Sequence, residues 1–260
     1  MEEGRVWAAI PAFNEAKRIQ QVVSGALRYV DSVVVCDDGS RDQTGNLAAS
    51  SGAIVIKHRS NRGKGGALRS LFKFVRNIQA TAAVTIDADG QHFSEDIPRV
   101  LNPVLSSNLD IVNGGRLGAV NEVPFQRQLG NRLLSLFTTA GTGIPVSDTQ
   151  SGFRSYSRRA LGKIVVTENG IGVDTQILFD AWMKGLSICE IPISVRYFPD
   201  ERQSVIRQAI QVMYCIGKMR LLRRNGSLSD SFTSLQKETA LYDSPSEPGR
   251  LKLERLENEE

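Results

Sequence analysis

An α/β fold built on a mostly parallel sheet flanked by helices is the architecture this sequence predicts. Three observations carry it. Over the first 115 residues, short β-rich apolar runs alternate with segments whose apolar residues recur at helical spacing. Each apolar run ends in a cluster of Gly, Asp, Asn, Lys or Arg, as strands do where their carboxyl ends meet a ligand crevice. The composition, 41% hydrophobic and 23% charged, supports a sizeable buried core.

The elements follow in order. Val6–Ala12, Ser32–Asp37, Ala53–His58, Ala82–Ile86 and Leu109–Asn113 read as buried strands. Between them Glu15–Tyr29, Gln43–Ser51, Gly65–Asn77 and Glu95–Ser106 read as helices, with Asn14 and Asp42 as N-caps and Ser94 opening the fourth. Repeated strand–helix units of this kind give a Rossmann-like sheet with helices on its faces. Beyond residue 116 the pattern loosens. Phe125–Thr139 and Val173–Lys184 read as helices, and Leu186–Tyr197 as a strand interrupted by Pro192. Arg202–Arg224 predicts a basic amphipathic helix with six basic residues and no acidic one, suited either to packing on the sheet or to a membrane interface. Residues 1–225 are expected to form one catalytic-sized domain. Residues 226–260, polar and with little apolar periodicity, are expected to be a disordered tail.

Charge and cysteine usage narrow the function classes. The net charge is +4, and the 226–260 segment holds eight acidic and four basic side chains, so the excess positive charge lies before it. That excess is too small to argue for nucleic acid and suits an anionic substrate or an anionic membrane surface. Cys36, Cys189 and Cys215 are odd in number and far apart, which reads as reduced thiols of a cytosolic protein. Two histidines, His58 and His92, leave little material for a zinc cluster or a Ser-His-Asp triad. The amino-terminal apolar run stops at Pro11, unlike a signal peptide, and no stretch approaches the roughly 18 apolar residues of a membrane span, so the chain is expected to be soluble or peripheral.

The most informative stretch is Val84-Thr-Ile-Asp-Ala-Asp-Gly-Gln-His92. Side chains two apart in extended backbone point the same way, so Asp87 and Asp89 face one point. A hard divalent cation, Mg²⁺ or Mn²⁺, suits two such carboxylates and leaves sites open for substrate phosphates; Gln91 offers a further oxygen. The bland alternative is an acidic loop capping the next helix. Pro11-Ala-Phe-Asn-Glu15, Asp37-Asp-Gly-Ser40, Asn61-Arg-Gly-Lys-Gly65 and Gly114-Gly-Arg116 fall at the ends of the neighbouring strands. In the second of these, one aspartate fits the strand end and the other could accept hydrogen bonds from a base or ribose. Lys64 reads either as a diphosphate contact or as a solvated loop lysine. Arg116, and Arg154 in Asp148-Thr-Gln-Ser-Gly-Phe-Arg154, supply forked donors matched to phosphate oxygens, though each alone also fits a surface position.

Taken together, Pro11-Ala-Phe-Asn-Glu15, Asp37-Asp-Gly-Ser40, Asp87-Ala-Asp-Gly-Gln91 and Asp148-Thr-Gln-Ser-Gly-Phe-Arg154 resemble the family 2 glycosyltransferases of GT-A fold. The chain is most similar to the dolichyl-phosphate mannose synthase branch and its polyprenyl-phosphate relatives, over roughly residues 5–224. The resemblance implies an inverting transfer of a hexose from a nucleotide-sugar donor, GDP-mannose or a UDP-sugar, to dolichyl or polyprenyl phosphate with Mg²⁺ or Mn²⁺. It implies that Pro11, Phe13 and Glu15 cradle the base with Cys36 and Asp38, and that Asp87 and Ala88 line the donor pocket. Asp87, Asp89 and Gln91 would hold the metal, and Arg116 and Arg154 would face the phosphates where donor and acceptor meet, with Lys64 and Arg202 as further phosphate contacts. Asp148 would position Arg154, or act as a base toward a hydroxyl acceptor. The chain departs from the family pattern at Asp200–Arg207, which lacks the usual Gly and Lys, at Phe13 in place of Tyr, and at Asp174 in place of Glu. A lipid-phosphate acceptor implies a peripheral protein on the cytosolic face of a membrane, docked through its surface or a membrane-protein partner. The competing readings are a family 2 enzyme with a hydroxyl acceptor on a glycan or lipid, and a non-catalytic binding protein on the same fold.

Overall fold

The computed structural model describes residues 5–116, 146–170, 172–196 and residue 217. The helices expected at 125–139 and 202–224, Arg202, and the tail from 226 lie outside the described residues.

Among the described residues, seven strands form one sheet: β1 Val6–Ala12, β2 Ser32–Asp37, β3 Ile54–Lys57, β4 Ala82–Thr85, β5 Ile111–Gly115, β6 Arg154–Ser157 and β7 Ile188–Pro192. Their spatial order is β3-β2-β1-β4-β6-β5-β7. β1 to β4 run parallel, as do β5 and β7, and β6 is antiparallel to both β4 and β5. The chain steps outward from β1 to β2 and β3, then returns to place β4 on the other side of β1. The loops after β1 and β4 therefore leave in opposite directions and open a crevice between them, the switch point where such sheets bind ligands. Because β6 runs backwards, with Arg154 opposite Thr85 and Asn113, its entry loop, residues 148–153, reaches that same edge.

Alternate residues of the buried strands feed two apolar layers. Ala8, Ile10, Val33 and Val35 pack with Ile19 and Val23 of α1 (Ile19–Ala26) and Ile97 and Val100 of α4 (Ile97–Ser106). Trp7, Ala9 and Val34 pack on the other face with Leu68, Leu71 and Phe72 of α3 (Gly63–Asn77), Leu161 of α5 (Arg158–Lys163) and Ile177 of α6 (Val173–Met183). Helix α2 (Thr44–Ser50) lies between β2 and β3 in sequence. Phe72, 1% exposed, meets Tyr156 edge-on with 5.1 Å between ring centroids. Burying a side chain of that size contributes roughly 1.5–3 kcal/mol before the cost of ordering it.

Of the three expected helix starts, two shift and one keeps its aspartate. Asn14 is not the cap of α1: it adopts φ +57° and its Oδ1 accepts from the Arg41 N–H at 2.9 Å, while Glu15 O closes a turn onto Arg18 N and Ile19 N. Asp42 does hold the start of α2, accepting the Thr44 N–H at 3.0 Å. Ser94–Asp96 forms a 3₁₀ turn before α4. The strand expected over 186–197 is confined to Ile188–Pro192, with a single bridge from Val195 to His92 beyond it. β6 and α5 were not foreseen. Ser157 separates them, its hydroxyl accepting the Ala160 N–H at 3.0 Å as an N-cap.

Candidate active site

Two loops at the carboxyl ends of β1 and β2 are stitched together. Asn14 N donates to Ser40 Oγ (2.9 Å), Glu15 N to Thr44 Oγ1 (2.8 Å), Ala16 N to Asp42 Oδ2 (3.1 Å) and Arg41 N to Asn14 Oδ1 (2.9 Å). On this rim Phe13 is 42% exposed, an aromatic face open to a flat ligand. Pro11 lies within β1 opposite Cys36.

Cys36 and Asp38, expected beside a base, point inward instead. Cys36 is fully buried, with Sγ 3.5 Å from His58 Nε2. Burial, then the nearby Asp38 and Asp37 carboxylates, push its thiol up to about 12. Asp38 accepts from His58 Nδ1 at 2.6 Å and from Arg62 N at 2.9 and 3.0 Å. Facing a carboxylate, Nδ1 donates, and Nε2 lies in hydrogen-bond contact with Ser70 Oγ at 2.8 Å. This Asp–His–Ser chain is buried at His58 and Asp38 and ties β2, β3 and α3 together. Asp37 accepts the Ser40 N–H at 2.9 Å and supports the turn, whose Gly39 has φ +76°.

β4 runs into Asp87, Ala88 and Asp89, and Gly90 turns the chain at φ +70° so that Gln91 N donates to Asp89 Oδ1 at 3.0 Å. The Asp87 carboxylate lies against Gly152, where any Cβ would sit 2.2 Å from Oδ2. Lys64, the second residue of α3, places its ammonium 2.8 Å from Asp87 Oδ1, 3.2 Å from Asp87 Oδ2 and 2.9 Å from Asp174 Oδ2. Burial alone would raise the Asp87 carboxyl, but Lys64 outweighs it and holds Asp87 below the usual carboxylate range. Asp174 ends above that range despite the same lysine. Its side chain is only 7% exposed against 24% for Asp87, so loss of water costs its charged form more. In the sequence Asp174 stands out only as a departure from the family pattern, and its pairing with Lys64 spans 110 residues.

Across this corner Arg116 grips Asp148 with a fork: Nε to Oδ2 at 2.6 Å and Nη2 to Oδ1 at 2.8 Å, with the Arg116 N–H adding a third bond to Oδ2 at 3.1 Å. Burial favours the neutral acid, but the Arg116 charge and its hydrogen bonds bring Asp148 down to about 2. Asp148 therefore positions Arg116, not Arg154. Glu190 of β7, unforeseen as a site residue, accepts from Ser147 N (2.7 Å), Asp148 N (2.9 Å) and Asn113 Nδ2 (2.9 Å), fixing this loop on the sheet.

Arg154 differs most from expectation. It is 1% exposed, and its donors go to Asn113 Oδ1 (2.6 Å), Asp174 O (2.7 Å) and Thr149 O (2.9 Å). A buried guanidinium satisfied by protein oxygens is a strut: it fastens β6 to β5 and to the start of α6, which carries Asp174. His92, 8% exposed, tilts against Phe153 at 5.3 Å, and burial lowers it to about 4, so its ring is neutral near pH 7.

The donor set fits a hard divalent cation. Asp87, Asp89 and Gln91 offer only oxygens, and the corner already draws a cation, the Lys64 ammonium, onto Asp87. Among the described residues no three His, Cys, Asp or Glu side chains converge on one point, so a metal here would rely on substrate oxygens for much of its shell.

Comparison with known proteins places this geometry in a family. A family model described as glycosyl transferase family 2 matches residues 7–165. The chain is 32% identical over 220 residues to the UDP-N-acetylglucosamine–dolichyl-phosphate N-acetylglucosaminyltransferase of Methanococcus voltae, covering 76% of this chain and 88% of that one. It is 32% identical over 187 residues to the dolichyl-phosphate hexose transferase of Haloferax volcanii, covering 71% and 79%. Among solved structures, mannosyl-3-phosphoglycerate synthase from Rubrobacter xylanophilus superposes with a TM-score of 0.70 at 22% identity, over 86% of this chain and 75% of that one, a likeness of fold. The architecture is thus the expected GT-A sheet, and the chain belongs to glycosyl transferase family 2.

Proposed function

We propose that this glycosyltransferase moves a hexose from a nucleotide-sugar to dolichyl or polyprenyl phosphate, with inversion and with Mg²⁺ or Mn²⁺ on the Asp87–Gln91 turn. The observation that carries the reading is the juxtaposition, at the β1/β4 switch point, of that acidic turn with the Arg116–Asp148 fork. The relatives named as dolichyl-phosphate transferases support the acceptor class.

The exposed Phe13 face would take the base at the rim of the two stitched loops. When bound, a divalent cation supplies Lewis-acid stabilisation of the charge that gathers on the departing diphosphate. Asp87, Asp89 and Gln91 would hold it, Asp87 being the carboxylate that Lys64 also contacts. Arg116, oriented by Asp148, presents fixed positive charge to the phosphate of donor or acceptor without reorganising. Asp148 is poorly suited to take a proton: its oxygens are occupied by Arg116 and its carboxyl lies near 2. A hydroxyl acceptor needs such a base, whereas a phosphate monoester arrives ionised, so the site favours the lipid phosphate. No described helix is long and apolar enough to cross a membrane. Because a polyprenyl phosphate lies in a bilayer, the reading includes docking at its surface, through the basic stretch 202–224 or a membrane-protein partner.

The test is a donor panel of GDP-mannose, UDP-glucose and UDP-N-acetylglucosamine, offered with a polyprenyl phosphate, with and without Mn²⁺. Metal-dependent sugar transfer to the lipid phosphate is expected, abolished by Asp89→Ala with the fold intact. Transfer to alcohols but not to the lipid phosphate, or full activity in Asp89→Ala, would overturn it.

A further inference from the structure

We infer that Lys64 is a built-in stand-in cation: it occupies Asp87 when no donor is bound, and divalent metal binds tightly only once a nucleotide diphosphate gives the ammonium somewhere else to go. The inference rests on the metal reading above and adds a control on it.

Three observations carry it. First, the ammonium touches both oxygens of Asp87, at 2.8 and 3.2 Å, so the carboxylate has a resident counter-ion on the face a metal would use. A divalent cation drawn to those oxygens competes with an ammonium at hydrogen-bond distance, because two like charges within about 4 Å repel in a partly desolvated corner. Second, the backbone beneath the lysine is closely packed. Gly65 N donates to Asn169 O at 3.0 Å, and a Cβ would lie 1.7 Å from Glu168 O at Gly65 and 2.4 Å from Asn169 O at Gly63. The start of α3 is thus wedged against 168–169, and exchange must come from the side chain alone. Third, that side chain reaches solvent: it is 26% exposed, on a four-carbon stem with three rotatable donors. Asp174, 2.9 Å away and more deeply buried than Asp87, stays as its tether, so the ammonium pivots about Asp174 and leaves Asp87.

The consequence is thermodynamic. Metal arriving alone must dislodge Lys64 with only Asp174 to receive it. Metal arriving with a diphosphate displaces Lys64 toward fresh anionic oxygens. Each ligand then strengthens the other by the same factor.

Mn²⁺ titration by electron paramagnetic resonance, in the absence and presence of UDP or GDP, tests this without turnover. Lys64→Gln and Lys64→Met are expected to bind Mn²⁺ alone at least tenfold more tightly than the unaltered protein, while Lys64→Arg, which keeps the competing charge, does not. Adding the nucleotide should close most of the gap. Arg62→Gln removes a positive charge two residues away and should tighten Mn²⁺ far less. Should the neutral variants fail to fold, labelling of Lys64 by an amine-reactive ester in the unaltered protein replaces them; it should rise once Mn²⁺ alone is raised to concentrations that saturate the site in the resonance titration. Equal Mn²⁺ affinity in the neutral variants and the unaltered protein, equal tightening by Arg62→Gln, or no change in labelling would overturn the stand-in role while leaving the metal site standing. No Mn²⁺ binding by any variant, even with nucleotide, would instead remove the metal reading and this inference with it.

Discussion

Gly152→Ala should inactivate the enzyme without altering any side chain expected to touch substrate. The added methyl group would lie 2.2 Å from Asp87 Oδ2 and 2.5 Å from both Cγ and Oδ1. Rotating the carboxylate about its own axis does not help, since all three of its outer atoms crowd the same point. The group must swing away by about 1 Å to restore ordinary contact. That motion breaks the 2.8 Å pairing with Lys64 and misplaces the first oxygen of the acidic turn. A 1 Å error in a reacting array costs roughly 10²-fold, about 2.7 kcal/mol of transition-state stabilisation. Stability should fall by no more than the roughly 1–3 kcal/mol of an overpacked core, because a short polar side chain yields where a packed core would not. Gly162→Ala is the control: its Cβ meets nothing within 4 Å inside α5, so it should stabilise by about 0.5–1 kcal/mol and leave turnover unchanged. The assay is initial-rate sugar transfer at saturating donor beside a thermal melt. Turnover of Gly152→Ala within threefold of wild type, or a loss matched by the fraction unfolded, would refute the reasoning.

Two further outcomes are expected. Asp148 has its carboxyl lowered to about 2 in the folded protein, so its contribution is present above the ordinary value near 4 and is lost as pH falls through about 2. Asp148→Asn should therefore unfold about 2 kcal/mol more easily in urea at pH 7, with the gap closing between about pH 4 and 2; a gap that ignores pH would show that Arg116 does not stabilise the charged form. Cys36, raised to about 12 and fully buried, should resist thiol reagents at pH 8 by at least about 10³-fold relative to an exposed thiol. Cys36→Ala should leave the count of fast-reacting thiols in the folded protein unchanged, and a drop by one would place Cys36 at the surface.

The parallel core was legible because strands buried on both faces spell near-continuous apolar runs, as Val33-Val-Val-Cys36 does. β6 was not, since Arg154-Ser-Tyr-Ser157 has no β-branched residue, and the burial of its arginine depends on oxygens from 113, 149 and 174. The amino end of α1 was overdrawn because periodicity does not register that Asn14 and Glu15 bond sideways to the β2 loop. In the site, the rule that ligands gather at strand ends pointed to Asp87, Asp89 and Arg116, which do follow the ends of β4 and β5. Which partner each would choose was out of reach. Lys64 finds Asp174 across 110 residues and Asp148 finds Arg116 across 32, and neither separation leaves a periodic trace. The inward turn of Asp38 had one faint signal, a histidine at the end of β3, the next strand over.

The four bonds that lace the β1 loop to the β2 loop have a practical consequence for redesign. Neither loop is an independent cassette: transplanting one from a relative with a different nucleotide preference would strand donors at Asn14, Glu15, Ala16 and Arg41. Reprogramming the donor should succeed only when residues 13–16 and 40–44 are exchanged as a matched pair.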